Sequence, residues 1–276
     1  MGLAVVLFAK LCIFLFLGFG SRDLFAAGLQ AEIINYYALI LEFLGIRDAH
    51  EVHLYGPMLA SMMSLVLLFI GGVIFRSSIK VGASTGEAED VILPPEKLSL
   101  RALFETILEG LFGLVSNAMG DEKAKQHITL LSTIFLFIFV SNGSGLVPGF
   151  PPATESINTN LAMGLTVFLT YHIAGVLEHG PIAYIKHFGG PIWWMAPLFF
   201  VIELVSHAAR PLSLSLRLFG NVYGDHLVMG VLTGMTYLVV PLVSFFFGAL
   251  VAVLQSLVFT LLSCTYISMA VAHEEH

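Results

Sequence analysis

Between Pro191 and Ala272 the chain runs for eighty-two residues with only four charged side chains, Glu203, Arg210, Arg217 and Asp225. No water-facing surface can be built from such a stretch. Globular proteins carry about 25% charged residues; this chain carries 11% throughout, with 57% of its residues in the AVILMFWYC set and a mean hydropathy of +0.90. Residues 54–75, 128–147 and 157–177 each approach or exceed the ~20 apolar residues that cross the hydrocarbon layer. Period-2 alternation is absent, and lipid offers no partner to open backbone groups, so these segments are helices and not barrel strands.

The long region poses a problem of length. Its best break lies at Gly230 to Pro241, giving two helices near forty and thirty residues. Forty residues rise ~60 Å, about twice the hydrocarbon thickness. Such a helix must tilt steeply or break, and Pro211 removes a backbone donor near its middle. Tilt beyond the usual ~20° needs a protein neighbour to lie against. The expected fold is therefore all-α: a polytopic integral membrane protein of about five membrane helices, the last two long and steeply tilted. One amphipathic surface helix joins them, since residues 98–119 place Leu100, Leu103, Phe104, Ile107, Leu108, Leu111 and Leu114 at helical spacing.

Three regions are expected along the chain. Residues 1–20 read as a signal peptide or an extra apolar segment, with Lys10 ahead of Leu11 to Phe19 and small residues at Gly18, Gly20 and Ser21. Residues 21–53 form an external polar segment, and 54–276 the membrane domain. Orientation follows the basic residues. Arg76, Lys80, Lys97, Arg101, Lys123 and Lys125 are half of all twelve, so the loop holding them is cytoplasmic. The turn from Pro148 to Ser156 has none and is external, Lys186 marks an internal loop, and the C-terminus is cytoplasmic. A bacterial plasma (inner) membrane fits the leading segment.

Several function classes are excluded. A net charge of −7 argues against nucleic acid. Cys12 and Cys264 lie far apart in apolar surroundings, which offers neither a disulfide framework nor a metal cage. His50 and His53 have the spacing of a metal pair but lack further ligands, and they read as a solvated loop. No phosphate-cradling glycine loop is present, so the chain has no nucleotide chemistry of its own and no cofactor is expected. Trp193 and Trp194 read as an interfacial belt, and Gly220 with Gly224, and Gly230 with Gly234, as small-residue pairs that allow close helix approach.

The four charges of the long region carry the chemistry. Each costs about 2.5 to 3.5 kcal/mol at mid-bilayer, which makes such residues functional candidates. At about 100° per residue, Glu203, Ser206, Arg210, Ser213 and Asn221 all fall within about 40° of Arg217, whereas His226 falls on the opposite face. One polar stripe thus runs about five turns through an apolar helix. Polar groups at its two ends point in different directions, the pattern of two offset aqueous half-channels. One would open near Glu203 and Ser213, the other near Asn221 and His226. A purely structural stripe is the bland alternative.

The block Pro211-Leu-Ser-Leu-Ser-Leu-Arg217-Leu-Phe-Gly-Asn221 resembles subunit a of the F-type ATP synthase. Glu203 fourteen residues before the arginine, and Gln255 to Thr260 in the last helix, add to it. So do the turn from Gly145 to Pro152 and the segment Asn158-Thr-Asn-Leu-Ala. The resemblance implies a proton-translocating stator subunit of a rotary ATP synthase, not catalytic by itself. It also implies as partners a ring of c subunits, stator b subunits and other subunits of the synthase. By that similarity Arg217 meets the ring carboxylate, Asn221 and Gln255 are its polar neighbours, and Glu203 with Ser213 lines the inner half-channel. Ser206, His207 and Arg210 are secondary candidates. Two departures stand out: the position seven before Gln255, often His or Glu in the family, is Gly248, and an extra acid, Asp225, precedes His226. The outer relay is therefore expected to run through Asp225 and His226. A secondary antiporter using an Arg/Glu relay is the alternative, but it lacks the internal repeats such transporters show.

Overall fold

The computed structural model describes residues 36–43, 49–84, 100–147, 149–181, 184, 195–235 and 239–271. The leading segment 1–20, Cys12, Lys186 and the Trp193–Trp194 pair lie outside the described residues, as do the side chains of His50, His53, Gly230 and Gly234. Among the described residues seven helices follow one another: α1 Tyr36–Phe43, α2 Ala49–Ser84, α3 Leu100–Met119, α4 Asp121–Gly145, α5 Ile157–His179, α6 Ala196–Met235 and α7 Val239–Val271. A short 3₁₀ turn, Ala153–Glu155, sits between α4 and α5. Among the described residues there is no strand, and six helices are long and apolar enough to cross a membrane. The chain is an all-α, multi-pass membrane protein.

The sixth such helix is α3, read from its spacing as a surface helix; by length and composition residues Ala102–Met119 also suffice to cross. It packs against α4, α7 and α2. The long apolar region divides as its turn signals require. Helix α6 has 40 residues and α7 has 33, with the boundary inside the expected Gly230–Pro241 break.

Pro211 lies inside the continuous helix α6. A proline there cannot bond the carbonyl four residues back, that of His207. The hydroxyl of Tyr171 on α5 approaches that same carbonyl at 3.4 Å, so the neighbouring helix supplies the missing donor. This is how membrane helices tolerate proline.

Two apolar clusters hold the helices together. One joins Ile134, Phe137 and Ile138 of α4 to Met163 and Val167 of α5, Leu214, Leu218 and Val222 of α6, and Phe259 of α7. The other gathers Val115, Leu131, Tyr171, Cys264, Ile267 and Val271. Phe69, 74% exposed, and Leu177, 80% exposed, typify the apolar side chains that face outward, as a lipid-embedded surface requires.

Turns at opposite ends of the bundle are fixed by specific bonds. At one end Gly120, with φ 81°, makes the corner between α3 and α4, and Ser116 hydrogen-bonds Asp121 across it. There Lys123 Nζ also donates to the carbonyl of Val271 at 2.5 Å and lies 3.7 Å from Glu178. The start of α4 and the ends of α5 and α7 therefore share one end of the bundle. At the other end Thr154 donates to Asn142 Oδ1 at 2.5 Å, and Asn160 Nδ2 donates to the Thr154 carbonyl at 2.7 Å. Helix α1 docks on this turn through Tyr36, stacked on Phe150 at 4.8 Å.

Candidate functional site

Helix α6 carries the polar stripe past three distinct environments. Near its start, Glu203 Oε1 lies 3.0 Å from Nε2 of the buried His207, whose Nδ1 lies 3.0 Å from the Tyr171 hydroxyl. His172 stands beside them, its ring 5.1 Å from that of His207. Arg210 belongs to the same group: its guanidinium sits 5.9 Å from the Tyr171 ring and 5.7 Å from that of Tyr266. Cation–π contact of this kind stabilises a desolvated arginine by about 2 kcal/mol. The phenol of Tyr184, five residues past the end of α5, is pushed above its usual range by burial. Tyr171, His172 and Tyr266 come from α5 and α7, and no spacing within α6 announces them.

Midway along the helix the environment changes. Arg217 is exposed on the apolar flank of α6, between exposed Leu216 and exposed Gly220. Among the described residues it makes no hydrogen bond, ion pair or ring contact. The two arginines, alike in sequence, are thus unlike in surroundings: Arg210 is satisfied within the chain and Arg217 is not. One turn on, exposed Asn221 donates from Nδ2 to Oε1 of buried Gln255 on α7 at 2.7 Å. This bond ties α6 to α7 one turn from the arginine. Ser206 is half-buried and Ser213 exposed, and neither has a hydrogen-bond partner among the described residues. Ser213 does not join Glu203 in a bonded cluster.

Farther along α6, Asp225 and His226 both line a small open cleft, together with Asn142, Pro152, Gly248 and Ala252. The carboxylate of Asp225 occupies the space in front of Gly248: a Cβ at residue 248 would lie 2.8 Å from its Oδ2. Asp225 and Gly248, singled out separately in the sequence, are therefore one feature. The acid on α6 fills the volume that glycine leaves open on α7. His226 Nδ1 lies 3.4 Å from Oε2 of Glu155, on the 3₁₀ turn. Glu155 escaped the reading of α6 because it lies on another element; the available signal was that it is the sole charge between Pro148 and Ser156.

Among the described residues no group of three or more His, Cys, Asp or Glu side chains could hold a metal ion. The arrangement offers two groups of proton-exchanging side chains, at opposite ends of one helix, with an unpartnered cation between them.

Comparison with known proteins adds the following. The family model described as ATP synthase A chain matches residues 58–268. The ATP synthase subunit a of Bdellovibrio bacteriovorus is 42% identical over 207 residues, covering 74% of this chain and 90% of that protein. The subunit a of Trichlorobacter lovleyi is 36% identical over 241 residues, 85% of this chain and 98% of the relative. That of Geobacter sulfurreducens is 45% identical over 176 residues, 63% and 76% respectively.

Proposed function

We propose, since this chain belongs to the ATP synthase A chain family, that it is the ion-conducting stator subunit of a rotary ATP synthase and works with other subunits of that complex. The finer reading is that it provides two offset half-channels for protons. An inner one runs past Glu203, His207, Tyr171 and Ser213, and an outer one past Asp225 and His226. Arg217 stands between them and meets a carboxylate carried by a ring of c subunits, while b subunits hold the stator. The multi-pass chain sits in a bacterial inner membrane with its C-terminus cytoplasmic.

One observation carries this reading. A guanidinium stays charged under all physiological conditions, and placing a charge in hydrocarbon costs about 2.5 to 3.5 kcal/mol or more. Arg217 lies exposed within the candidate span Pro197–Val228, yet no described residue of its own chain offsets it. A passing carboxylate on another chain would supply the counter-charge that the described residues do not. Asn221 and Gln255, bonded to each other alongside, keep the two long helices together where that neighbour would slide past.

The test is passive proton flux through membranes carrying the assembled membrane sector. Glu203→Gln and Asp225→Asn should each lower it by about 10² or more, the contribution typical of a positioned proton-transfer group. Unchanged flux in both, with normal subunit levels, overturns the half-channel reading. A third substitution probes the packing of the outer group. Gly248→Ala forces the Asp225 carboxylate out of its place, and flux should fall about tenfold, the equivalent of ~1.4 kcal/mol, with little change in the amount of assembled complex.

A further inference from the structure

We propose that Glu155, on the turn between α4 and α5, is the outermost proton acceptor of the pathway and hands its protons to His226. The inference rests on the outer half-channel reading above and adds to it a residue from outside the long helices.

Position is the first argument. The turn holding Glu155 is anchored: Ala153 and Thr154 are fully buried, Thr154 bonds Asn142 of α4, and Asn160 of α5 bonds the Thr154 carbonyl. The turn also packs on α6. Glu155 is thus held at a fixed place while its carboxylate keeps 29% exposure, enough to exchange protons with external water. Its Oε2 lies 3.4 Å from Nδ1 of His226, whose side chain is equally accessible at 29%. Slight closure brings the two within proton-transfer reach.

The second argument comes from the cleft behind this pair. Asn142 is only 7% exposed and lines the cleft with Asp225 and His226, yet its Nδ2 has no hydrogen-bond partner among the described residues. A buried donor left unpaired costs about 1–3 kcal/mol. A water in the cleft would accept from it, and the same water can bridge His226 to Asp225.

The steps balance. Protonated Glu155 breaks its O–H bond and forms N–H on His226, leaving a carboxylate and an imidazolium. The imidazolium then gives up a proton across the cleft to the Asp225 carboxylate and returns to neutral imidazole. External water reprotonates Glu155. Net charge within the group changes only when that last proton arrives.

Passive proton flux through the assembled membrane sector tests this, with subunit levels measured by immunoblot. Glu155→Gln keeps the size and the hydrogen-bonding reach of the side chain but carries no proton; flux should fall at least about tenfold. Glu155→Asp should restore it to within about threefold. External formate should raise flux through Glu155→Ala membranes, measured against Asp225→Asn membranes given the same formate. If Glu155→Gln conducts like the parent while Asp225→Asn does not, Glu155 is only structural and the half-channel reading stands. If Asp225→Asn also conducts normally, that reading fails together with this one. Should Glu155→Gln fail to assemble, the formate measurement decides: no rise overturns the proposal.

Discussion

Membranes carrying Arg217→Ala are expected to contain the subunit at normal levels, assembled with its partners, and to make no ATP by coupled synthesis. The expectation follows from what the side chain touches and what it lacks. It is exposed and makes no hydrogen bond, ion pair or ring contact with a described residue of its own chain, so its removal opens no enclosed cavity and orphans no buried group. Insertion becomes more favourable, because one mid-membrane charge disappears. On the function proposed above, the loss falls on the carboxylate of the ring. At about 4 Å and an effective dielectric of about 20, a guanidinium stabilises a carboxylate by roughly 4 kcal/mol, or about three pKa units. Lipid burial favours the neutral acid by a comparable margin, so without the arginine the ring site keeps its proton and release slows by about 10³-fold. Passive leak between the half-channels should meanwhile persist or rise, since the fixed cation no longer repels protons. Arg217→Lys should fail as well, because an ammonium shifts its pKa when desolvated and an arginine does not. Normal synthesis in either variant would falsify the role assigned here.

The contrast between the two arginines shows where sequence reasoning stops. Helical spacing put Arg210 and Arg217 on one stripe, and the structure keeps both on α6. Which of them is free was not legible, because the answer lies in Tyr171 of α5 and Tyr266 of α7. Each is tens of residues away, and no period links it to the arginine. The same holds for Pro211. Its presence announced a lost hydrogen bond, but not that Tyr171 would approach the orphaned His207 carbonyl. By contrast, the division into α6 and α7 follows from the chain alone, since length, turn residues and hydrocarbon thickness leave little choice. The family resemblance named Asn221 and Gln255 as polar neighbours of the arginine, but not the 2.7 Å bond between them. Glu155 shows the general limit: a site assembled from a loop and a helix is visible only when both are in place. Helix α3 shows another, since its apolar spacing suits both a surface helix and a span, and neighbours decide between them.

The second large effect concerns packing rather than charge. Gly164→Leu is expected to cut the steady-state level of the subunit to about a tenth or less, with flux lost in proportion. At Gly164 helix α5 comes so close to α6 that a Cβ would collide with the Ser215 hydroxyl and lie 2.8 Å from the carbonyl oxygen of Pro211. The carbonyl is backbone and cannot rotate away, so any side chain pushes the helices apart. Close approach through small residues is what drives helix association in lipid, where no hydrophobic effect favours one apolar face over another. Separation here would also pull Tyr171 away from the His207 carbonyl and break the 2.9 Å bond from Ser215 to the Asn160 carbonyl. Gly164→Ala should be milder, at the ~1–3 kcal/mol usual for overpacking, and would show as earlier heat-induced aggregation of the purified sector. Adding Ser215→Ala removes the nearest obstacle but leaves the Pro211 carbonyl in place. The double variant should therefore recover part of the loss, with a coupling of about 0.5 kcal/mol or more. Simple additivity in that cycle, or a Gly164→Leu protein that accumulates normally, would show that α5 and α6 do not depend on this contact.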